Sequence, residues 1–407
     1  MTPSGRTSTQ STRPAALAVG TLGTILLGLL ATGQVARAGK PAPPPPAPVL
    51  PPVRYTLQWL DGGPEWRVAM PKDINRWGDM AGIASADAVV FNTAFAYCAS
   101  TGQTINLNEL NAEWWDLNGA TPTPAGGWRA SSAFGINDSG AIAGGATSID
   151  PNRPNRAFVL EGAFGATPRF LLLPTVGAVA HYGRRINNNG EVVGTTADLN
   201  LVRYKRMGDT WPFYTAVREA GISTDGTMDI NDDGVVVART TDGSYRQLAS
   251  GTAPAYFAGH EFWSVSNGPL AMISGYRAAT NGKNGLPGGP IRLPVLGTAS
   301  SVQLLSSGSY ARAINDYGDT VFEAAGRGFL YYDPDSDRGT PNPFGTNGDG
   351  ILPLDRMVVT QEPGWLDTRY LIRFDGVNNR DATGLGQICG FAYGPARGFV
   401  LTPVPAP

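Results

Sequence analysis

The sequence predicts an all-β protein, and more narrowly a seven-bladed β-propeller built from repeats of about 50 residues. One short pattern recurs: Ile-Asn, two variable residues, Gly, and then an apolar run. Its copies begin at Ile74, Ile136, Ile186, Ile230 and Ile314. The chain also has 53 Gly and 33 Pro among short apolar runs, a composition typical of short strands joined by turns. No segment keeps a 3.6-residue apolar period, so we expect little helix.

The recurring pattern predicts a β-hairpin at the start of each repeat. Asn at the first and Gly at the fourth turn position fit a type I turn, with the Gly at positive φ. The wide gap between Ile230 and Ile314 predicts a degenerate copy at Val265-Ser266-Asn267-Gly268. A last copy begins at Val377 if Asp381 to Leu385 is an insertion in its turn. Seven copies result, and six is the alternative count.

Each repeat carries further strands after its hairpin. An Arg-small-Phe-apolar strand begins at Arg156, Arg327 and Arg397, and another apolar strand precedes the next hairpin, as at Arg169 to Leu173. Four short strands per repeat match one propeller blade. One blade cannot bury both of its faces, and stacking blades in a closed ring covers them. The alternatives are a β-solenoid, whose coils have shorter and more uniform periods, and an open array of β-sandwiches.

The two ends of the repeat region predict how the ring closes. Tyr55 to Leu60 looks like the fourth strand of a repeat, and Gly398 to Leu401 looks like the third. We therefore expect the N-terminal strand to complete the last blade of a propeller domain over residues 53–401. Residues 402–407 would then form a Pro-rich tail.

Residues 1–38 have the pattern of an export signal. Basic residues precede an apolar stretch from Ala15 to Leu30, and a small-x-small site predicts cleavage after Ala38. The alternative is an uncleaved membrane anchor, although this stretch is short for a span of roughly 20 residues. Residues 39–52 follow as a Pro-rich linker of polyproline II type, or as a disordered leader. The signal predicts a secreted protein, extracellular or periplasmic, with no membrane span after cleavage.

The Ile-Asn-x-x-Gly hairpin and the small-Phe-apolar strand resemble the HAF-repeat family of bacterial extracellular proteins over residues 55–401. That family carries His-Ala-Phe where this chain has Arg156-Ala157-Phe158, Arg327-Gly328-Phe329 and Arg397-Gly398-Phe399. The resemblance implies export and a propeller-like repeat fold, and it implies no chemistry. The C-terminal tail resembles the stretch before a Pro-Glu-Pro sorting signal, with Ala406 in place of Glu. The apolar helix and basic cluster of that signal are absent from the sequence.

Charge and motif content exclude several function classes. The net charge of −2 argues against nucleic-acid binding, which needs a basic excess or stripe. The sequence has no Gly-x-Ser-x-Gly, His-Glu-x-x-His or phosphate-loop motif. His181 and His260 are its only histidines, and we expect a surface or structural role for both.

One turn matches the first half of a calcium-binding loop. Asp229, Asn231 and Asp233 stand at the alternate positions whose oxygens bind a hard cation in such loops. Thr240 occupies the place of the bidentate Glu. The equivalent turns of the other repeats are poor in carboxylates, which favours an ordinary turn. Calcium is the one cofactor that the sequence suggests.

The two cysteines fall in neighbouring blades of a closed ring. Cys98 lies in the first repeat and Cys389 in the last. An exported chain with an even cysteine count permits a disulfide. The alternative is two buried thiols on separate faces, because Cα atoms more than about 7 Å apart cannot be bridged.

The favoured function is a secreted, non-enzymatic scaffold. It would be a monomer that binds an unidentified protein or carbohydrate at the cell surface or in the matrix. The alternative is a polysaccharide-active propeller enzyme, a glycoside hydrolase or lyase, with a carboxylate pair at the channel mouth beside exposed Trp. A mouth lined by Gly, Asn and Ser would argue against it. The candidate acids are Asp61, Glu65, Glu109, Glu113 and Asp116.

Overall fold

A computed structural model describes most of the propeller region. The described residues are 53–60, 66–86, 92–119, 121–177, 179, 181–208, 213–240, 243–247, 255–267, 271–279, 289–294, 302–303, 310–324, 327–333, 350–359, 372–393 and 396–405. The predicted signal peptide with its predicted cleavage site at Ala38, the predicted Pro-rich linker, and the candidate acids Asp61 and Glu65 lie outside these residues.

Seven small sheets form a closed ring, which confirms the predicted seven-bladed β-propeller. Helix within the described residues is limited to a 3-10 turn at Leu107–Glu109 and to α1 (Leu354–Met357). The strands are β1 (Val53–Leu60), β2 (Val68–Ile74), β3 (Met80–Ser85), β4 (Thr93–Cys98), β5 (Gln103–Asn106), β6 (Glu113–Asp116), β7 (Thr123–Pro124), β8 (Trp128–Ile136), β9 (Ile142–Ser148), β10 (Arg156–Glu161), β11 (Arg169–Leu172), β12 (His181–Ile186), β13 (Val192–Thr196), β14 (Asn200–Arg206), β15 (Tyr214–Ile230), β16 (Val236–Thr240), β17 (Gly243–Gln247), β18 (Ala255–Ala258), β19 (His260–Val265), β20 (Met272–Arg277), β21 (Gly289–Pro294), β22 (Val302–Gln303), β23 (Ala311–Ile314), β24 (Thr320–Ala324), β25 (Arg327–Tyr331), β26 (Ile351–Pro353), β27 (Val358–Val359), β28 (Ile372–Val377), β29 (Ile388–Ala392) and β30 (Arg397–Pro405).

The blades are antiparallel sheets of successive strands. Blades 1, 5 and 6 are β2 to β5, β19 to β22 and β23 to β26. Blade 2 is β8 to β11, and β6 and β7 extend its outer edge. The long strand β15 serves two blades, because residues 214–218 pair with β14 of blade 3 and residues 228–230 pair with β16 of blade 4. Blade 7 has the order β28-β29-β30-β1-β27.

The N-terminal strand closes the ring, as predicted. β1 pairs antiparallel with β30 along its whole length, from Val53 opposite Pro405 to Leu60 opposite Gly398. The buried Tyr55 hydroxyl adds a 3.0 Å hydrogen bond to the Gly386 carbonyl of the same blade. The pairing runs further than expected, because residues 402–405 continue β30 instead of forming a tail.

The repeated hairpins have the predicted turn. The Gly N–H donates to the Asn carbonyl at 3.0 Å in the turns of residues 75–78, 137–140, 187–190 and 231–234, and φ of these glycines lies between 75° and 87°. The degenerate copy is confirmed in blade 5, between β19 and β20. The predicted insertion in the last turn is closed by a 3.0 Å bond from Asp381 N–H to Leu385 C=O.

The turn asparagines also join each blade to the next. Each Asn Nδ2 donates to the main-chain carbonyl of the equivalent residue in the following blade, at 2.9 to 3.2 Å. We name this set the asparagine ring. Ser266 interrupts it in blade 5, since a serine has no amide to donate. The pairs are Asn75 to Asn137, Asn137 to Asn187, Asn187 to Asn231, Asn231 to Ser266, Asn315 to Asn378, and Asn378 to Asn75.

The same side chains hold their own turns. The Oδ1 of Asn137 accepts the N–H of Ala141, and Asn187 Oδ1 accepts that of Glu191, at 2.9 and 2.8 Å. Each carboxamide therefore donates to the neighbouring blade and accepts within its own hairpin. Asp lacks the donor and Ser lacks the length, so Asn is the side chain that does both.

A second set of bonds between blades uses the residue after each Asn. Its N–H donates to the side-chain Oδ1 of the equivalent residue in the next blade, at 2.6 to 3.0 Å. The first of the two variable turn residues is therefore an Asp or Asn in six blades, because its Oδ1 accepts this bond. In blade 1 the position is Arg76, which donates its N–H and has no Oδ1 to accept. The donors and acceptors are Arg76 to Asp138, Asp138 to Asn188, Asn188 to Asp232, Asp232 to Asn267, Asn267 to Asp316, and Asp316 to Asn379.

Paired substitutions test the asparagine ring. Asn187→Ser removes the donor to Asn231 C=O, and its shorter side chain holds the acceptor for Glu191 N–H less well. We therefore expect the unfolding free energy to fall by about 1–3 kcal/mol.

Ser266→Asn supplies a donor for Asn315 C=O, and its Oδ1 can accept the Met272 N–H that Ser266 Oγ accepts now at 2.9 Å. We expect it to raise stability by about 0.5–1.5 kcal/mol. Urea unfolding measures both, and a loss of stability in Ser266→Asn would contradict the ring.

Candidate functional site

The inner strands contain β-bulges at corresponding positions. In six blades the register with the second strand skips one residue, three positions before the residue of the asparagine ring. In blade 4 the irregular segment is longer, between Thr224 and Met228. A bulge leaves its extra residue unpaired and re-aims the side chain. The skipped residues are Lys72, Phe134, Arg184, Trp263, Arg312 and Asp375.

A glycine in the second strand makes room for the bulge. A Cβ at Gly82 would lie 2.4 Å from the Met70 carbonyl oxygen, and a Cβ at Gly144 would lie 2.1 Å from that of Ser132. Both carbonyls belong to the inner strand two residues before the skipped residue. The Gly that ends several of the apolar runs is therefore a sequence signal for the bulge. The Ile-Asn-x-x-Gly turn does not by itself predict that bulge.

The skipped side chains line one cavity on the axis of the ring. With Met228 of blade 4 they bring all seven blades to a space of about 290 Å³, which we name the axial cavity. The seven positions carry six residue types, with Arg in blades 3 and 6, so this space carries much of what distinguishes the repeats. The rest of the lining is Ile83, Arg185, Gly226, Thr227 and Arg373.

The lining of the axial cavity is strongly cationic. It includes one Lys and four Arg against a single acid, Asp375. Asp375 Oδ1 pairs with Arg373 Nε at 2.6 Å. Arg312 Nε lies 3.8 Å from Glu323 Oε1, and Lys72 Nζ lies 2.6 Å from the thioether sulfur of Met70. A thioether brings no charge, so the buried ammonium of Lys72 has little compensation from its nearest contact.

Two arginines of the cavity stack on aromatic rings. The guanidinium of Arg184 lies 4.3 Å from the ring centroid of Phe134, and that of Arg312 lies 4.2 Å from the ring of Trp263. Such cation–π contacts are worth roughly 0.5–2 kcal/mol and fix the plane of each guanidinium. The cavity thus presents oriented, partly buried positive groups.

Burial changes the protonation of groups around the cavity. Burial lowers the pKa of Lys72 to about 8, against the attraction of Asp375, and Arg373 lowers it further. Burial raises the pKa of Glu323 to about 7 despite the nearby Arg312. It also raises the pKa of Asp73 to about 6. Lowering the pH through this range therefore makes the cavity more positive.

The asparagine-ring end of the channel is a polar space of about 130 Å³ that shares Arg185 and Asp375 with the axial cavity. Two of its acids make bonds between blades. Asp73 Oδ2 accepts the Ile136 N–H of blade 2 at 3.0 Å, and Asp229 Oδ2 accepts the Val265 N–H of blade 5 at 2.9 Å. Its lining contains eight Asn and two Ser together with six Asp.

Two side chains of the calcium candidate, Asp229 and Asn231, bond to the main chain of blade 5. Asp229 accepts bonds from Ile230 N–H and Val265 N–H, and Asn231 belongs to the asparagine ring. Asp233 is exposed on the turn. Within the described part of the chain no cluster of three or more His, Cys, Asp or Glu side chains is placed to hold a metal.

The three described acids of the enzyme alternative, Glu109, Glu113 and Asp116, do not meet at the channel. Glu109 lies in the 3-10 turn after β5 and accepts a 2.7 Å bond from Asn106 Nδ2. Glu113 is exposed at the start of β6, and Asp116 at its end pairs with Arg156 Nη2 at 3.1 Å. β6 lies on the outer edge of blade 2, away from the inner strands.

The tryptophans near those acids pack mainly against the core. Trp114 stacks on Phe170 with ring centroids 4.0 Å apart, and Trp115 packs on a different core cluster, so the two rings point to opposite faces of the strand. Trp77 is 61% exposed, and the guanidinium of Arg76 lies over its ring at 4.3 Å.

The two cysteines are free and buried in different surroundings. Cys389 belongs to the core cluster between blades 7 and 1, together with Phe95 and Val400. Cys98 lies outside that cluster, with its Sγ 3.3 Å from Ser100 Oγ. The disulfide that the sequence permits is not formed in this structure, where the two thiols are separate.

Both histidines serve local structure. The ring of His181 is buried, with Nδ1 2.9 Å from the Tyr204 hydroxyl and Nε2 accepting Val176 N–H at 3.2 Å. His260 Nδ1 lies 3.0 Å from the Ala258 carbonyl oxygen.

Comparisons with known proteins find similar solved structures and no family. No protein-family model and no curated protein matches the chain. One similar structure is YCF48 bound to D1 peptide, at 13% identity over 86% of this chain and 94% of that chain, with a TM-score of 0.43. Two others are the extracellular domain of a one-component system of B. thetaiotaomicron (11% identity, TM-score 0.45) and Chaetomium thermophilum Raptor (9% identity, TM-score 0.45). The match covers 86% of this chain in both cases, and 39% and 29% of those longer chains.

Across the described ranges, no helix has the length and apolar character needed to cross a bilayer.

Glu323→Gln tests the electrostatics of the cavity wall. Since burial raises the pKa of Glu323 from 4.5 to about 7, the folded state binds more protons than the unfolded state in this range. The unfolding free energy of the natural protein should therefore fall as the pH rises from about 4.5 to about 7. The Gln variant keeps an oxygen for the Phe374 N–H and loses this dependence, so its stability relative to the natural protein should rise with pH. Urea unfolding near pH 5 and near pH 8 measures it. The exposed Glu113→Gln is the control, and an equal stability difference at both pH values for Glu323→Gln would contradict the account.

Proposed function

We propose that the chain is an exported, non-catalytic binding scaffold that holds a charged part of its ligand in the axial cavity. The observation that carries the proposal is the contrast between two layers of the channel. The asparagine ring is nearly the same in every blade and joins the blades to each other. The corresponding positions of the axial cavity carry six residue types in seven blades, as expected for a surface specialised for a ligand.

The geometry favours binding over catalysis. Asp73 and Asp229 use their oxygens to accept main-chain N–H groups of the next blade. Asp375 pairs with Arg373. General acid–base chemistry on glycosides needs two carboxyl groups on either side of the scissile bond, and the cavity lining supplies one. A positive cavity with one paired acid is suited to holding a ligand in place.

Export is supported by the sequence. The basic, apolar and small-x-small order of residues 1–38 is that of a cleaved signal, and the resemblance to the HAF-repeat family implies the same location. In the closed ring β1 pairs with β30, so the edges of these two terminal strands that face each other are not open for pairing with another chain. We propose that the mature protein acts outside the cytoplasm as a monomer, where a protein or a carbohydrate is its partner.

Binding with and without a reversed charge in the cavity tests this function. The protein is produced from the full sequence, and mass spectrometry of the exported form should show Gly39 as the first residue. The exported protein is screened against neutral, acidic and basic saccharides and peptides, and the products are analysed for cleavage. We expect retention of acidic ligands without turnover, at least tenfold weaker binding by Arg312→Glu, and no change with Arg153→Glu on the outer surface. Cleavage of a retained ligand, or equal binding by Arg312→Glu, would contradict the proposal.

A further inference from the structure

We propose that the axial cavity binds a uronic acid residue at the end of an acidic saccharide. The inference rests on the proposed function and names its ligand class. It is drawn from four features of the cavity: its excess of cations, its unpartnered donors, one unpartnered acceptor, and its size.

The cation excess calls for an anion. Lys72 is 8% exposed and shares the lining with four arginines, while Asp375 is the single acid there. Arg373 pairs with Asp375, and Arg185 lies 3.7 Å from Asp229, whereas Lys72 lies against the uncharged thioether of Met70. A buried charge is unfavourable unless opposite charge compensates it. Burial also raises the pKa of Glu323 to about 7, so this carboxyl is partly protonated near neutral pH and compensates Arg312 less. A bound carboxylate would supply the missing charge.

Two buried donors beside the cavity have no hydrogen-bond partner. These are Trp263 Nε1 and Arg312 Nε. Arg312 Nε is 3.8 Å from Glu323 Oε1, which is an ion pair beyond hydrogen-bond distance. An unpartnered buried donor costs roughly 1–3 kcal/mol, so such groups at a cavity indicate an absent acceptor. The two stack on each other, with Arg312 4.2 Å from the indole, so a single acceptor group can reach the side chains of both.

One buried acceptor, Asp375 Oδ2, is also unpartnered. It favours an anion that carries a hydroxyl donor over one that has only acceptors. Asp375 Oδ1 pairs with Arg373, but Asp375 Oδ2 has no donor. Fully ionised sulfate has only acceptor oxygens and would be repelled by this carboxylate. A uronic acid carries hydroxyl groups on the ring that bears its carboxylate. It can therefore accept bonds from the cationic side and donate one to Asp375 Oδ2.

The size of the cavity limits what enters. A space of about 290 Å³ accommodates one sugar unit and excludes the body of a branched polymer. The cavity lies on the axis, further from the asparagine ring than the 130 Å³ space that adjoins it. A saccharide would therefore enter by its terminal residue.

Calorimetric titration of the exported protein tests the ligand class. The probes are trigalacturonic acid, its methyl ester, sodium sulfate and an acidic peptide of Asp and Glu. We expect the free acid to bind, and the methyl ester to bind at least tenfold more weakly because it has the same hydroxyls and no charge. Lys72→Met, Arg312→Met and Trp263→Phe should each weaken binding of the free acid roughly 10-fold to 100-fold. Arg153→Met removes an exposed cation of the outer surface and should leave the affinity unchanged.

Thermal unfolding of the same variants separates binding from folding. Replacing an uncompensated buried cation by Met is expected to leave stability unchanged or to raise it. Lys72→Met should therefore have a melting temperature no lower than that of the natural protein while its binding is weakened. Equal binding of acid and ester by the cavity would overturn both proposals, because the ester carries no charge. Tighter binding of sulfate or the acidic peptide would overturn the uronate proposal and leave the proposed function standing. Binding of the acid that no cavity variant weakens would overturn both.

Discussion

The structure depends on one repeated interaction, in which a turn asparagine donates to the main-chain carbonyl of the next blade's turn. The bond from Asn137 Nδ2 to Asn187 C=O, at 3.0 Å, stands for the set. The carboxamide oxygen meanwhile accepts an N–H of its own hairpin, so hairpin geometry and blade spacing are fixed by the same group. Buried groups of this kind contribute modestly when paired and cost more when left unpaired. A chain that places such a group in six of seven turns therefore specifies both the turn and the closed ring.

This constraint separates the structural part of the channel from the part that is free to vary. Near the asparagine ring, Asp73 and Asp229 also accept N–H groups of adjacent blades, so their oxygens are occupied. Three residues before the ring, the bulged residue is released from strand pairing and its side chain faces the axis. Neighbouring blades can there carry Lys72, Phe134 and Arg184 with no change in the turns. The fold thus offers one variable side chain from each blade around a common cavity.

The sequence was sufficient for the architecture because its signals are local and repeated. The Ile-Asn-x-x-Gly turns, the degenerate copy at Ser266 and the closing strand at Tyr55 follow from turn chemistry and strand counting. The site was predicted poorly because it depends on pairing register. Lys72 and Arg312 look like ordinary strand residues, and only the skipped pairing makes them neighbours across the axis. The glycine at Gly82 or Gly144 signals that bulge, but its meaning requires the position of the facing carbonyl. At Asp229 the spacing also matches a calcium loop, and only the structure shows that its Oδ2 accepts an N–H of the next blade.

Hydrogen exchange of the Asn187→Ser variant tests the central claim, that the asparagine ring holds the blades together at their turns. Exchange is followed by mass spectrometry on peptides that cover the turns of blades 2, 3 and 4 and on peptides from the outer strands. The account predicts faster exchange in the turns around Asn187 and Asn231, whose shared bond is lost, and unchanged exchange in outer strands such as β11. Unchanged exchange in these turns, or an equal increase in every peptide, would contradict it.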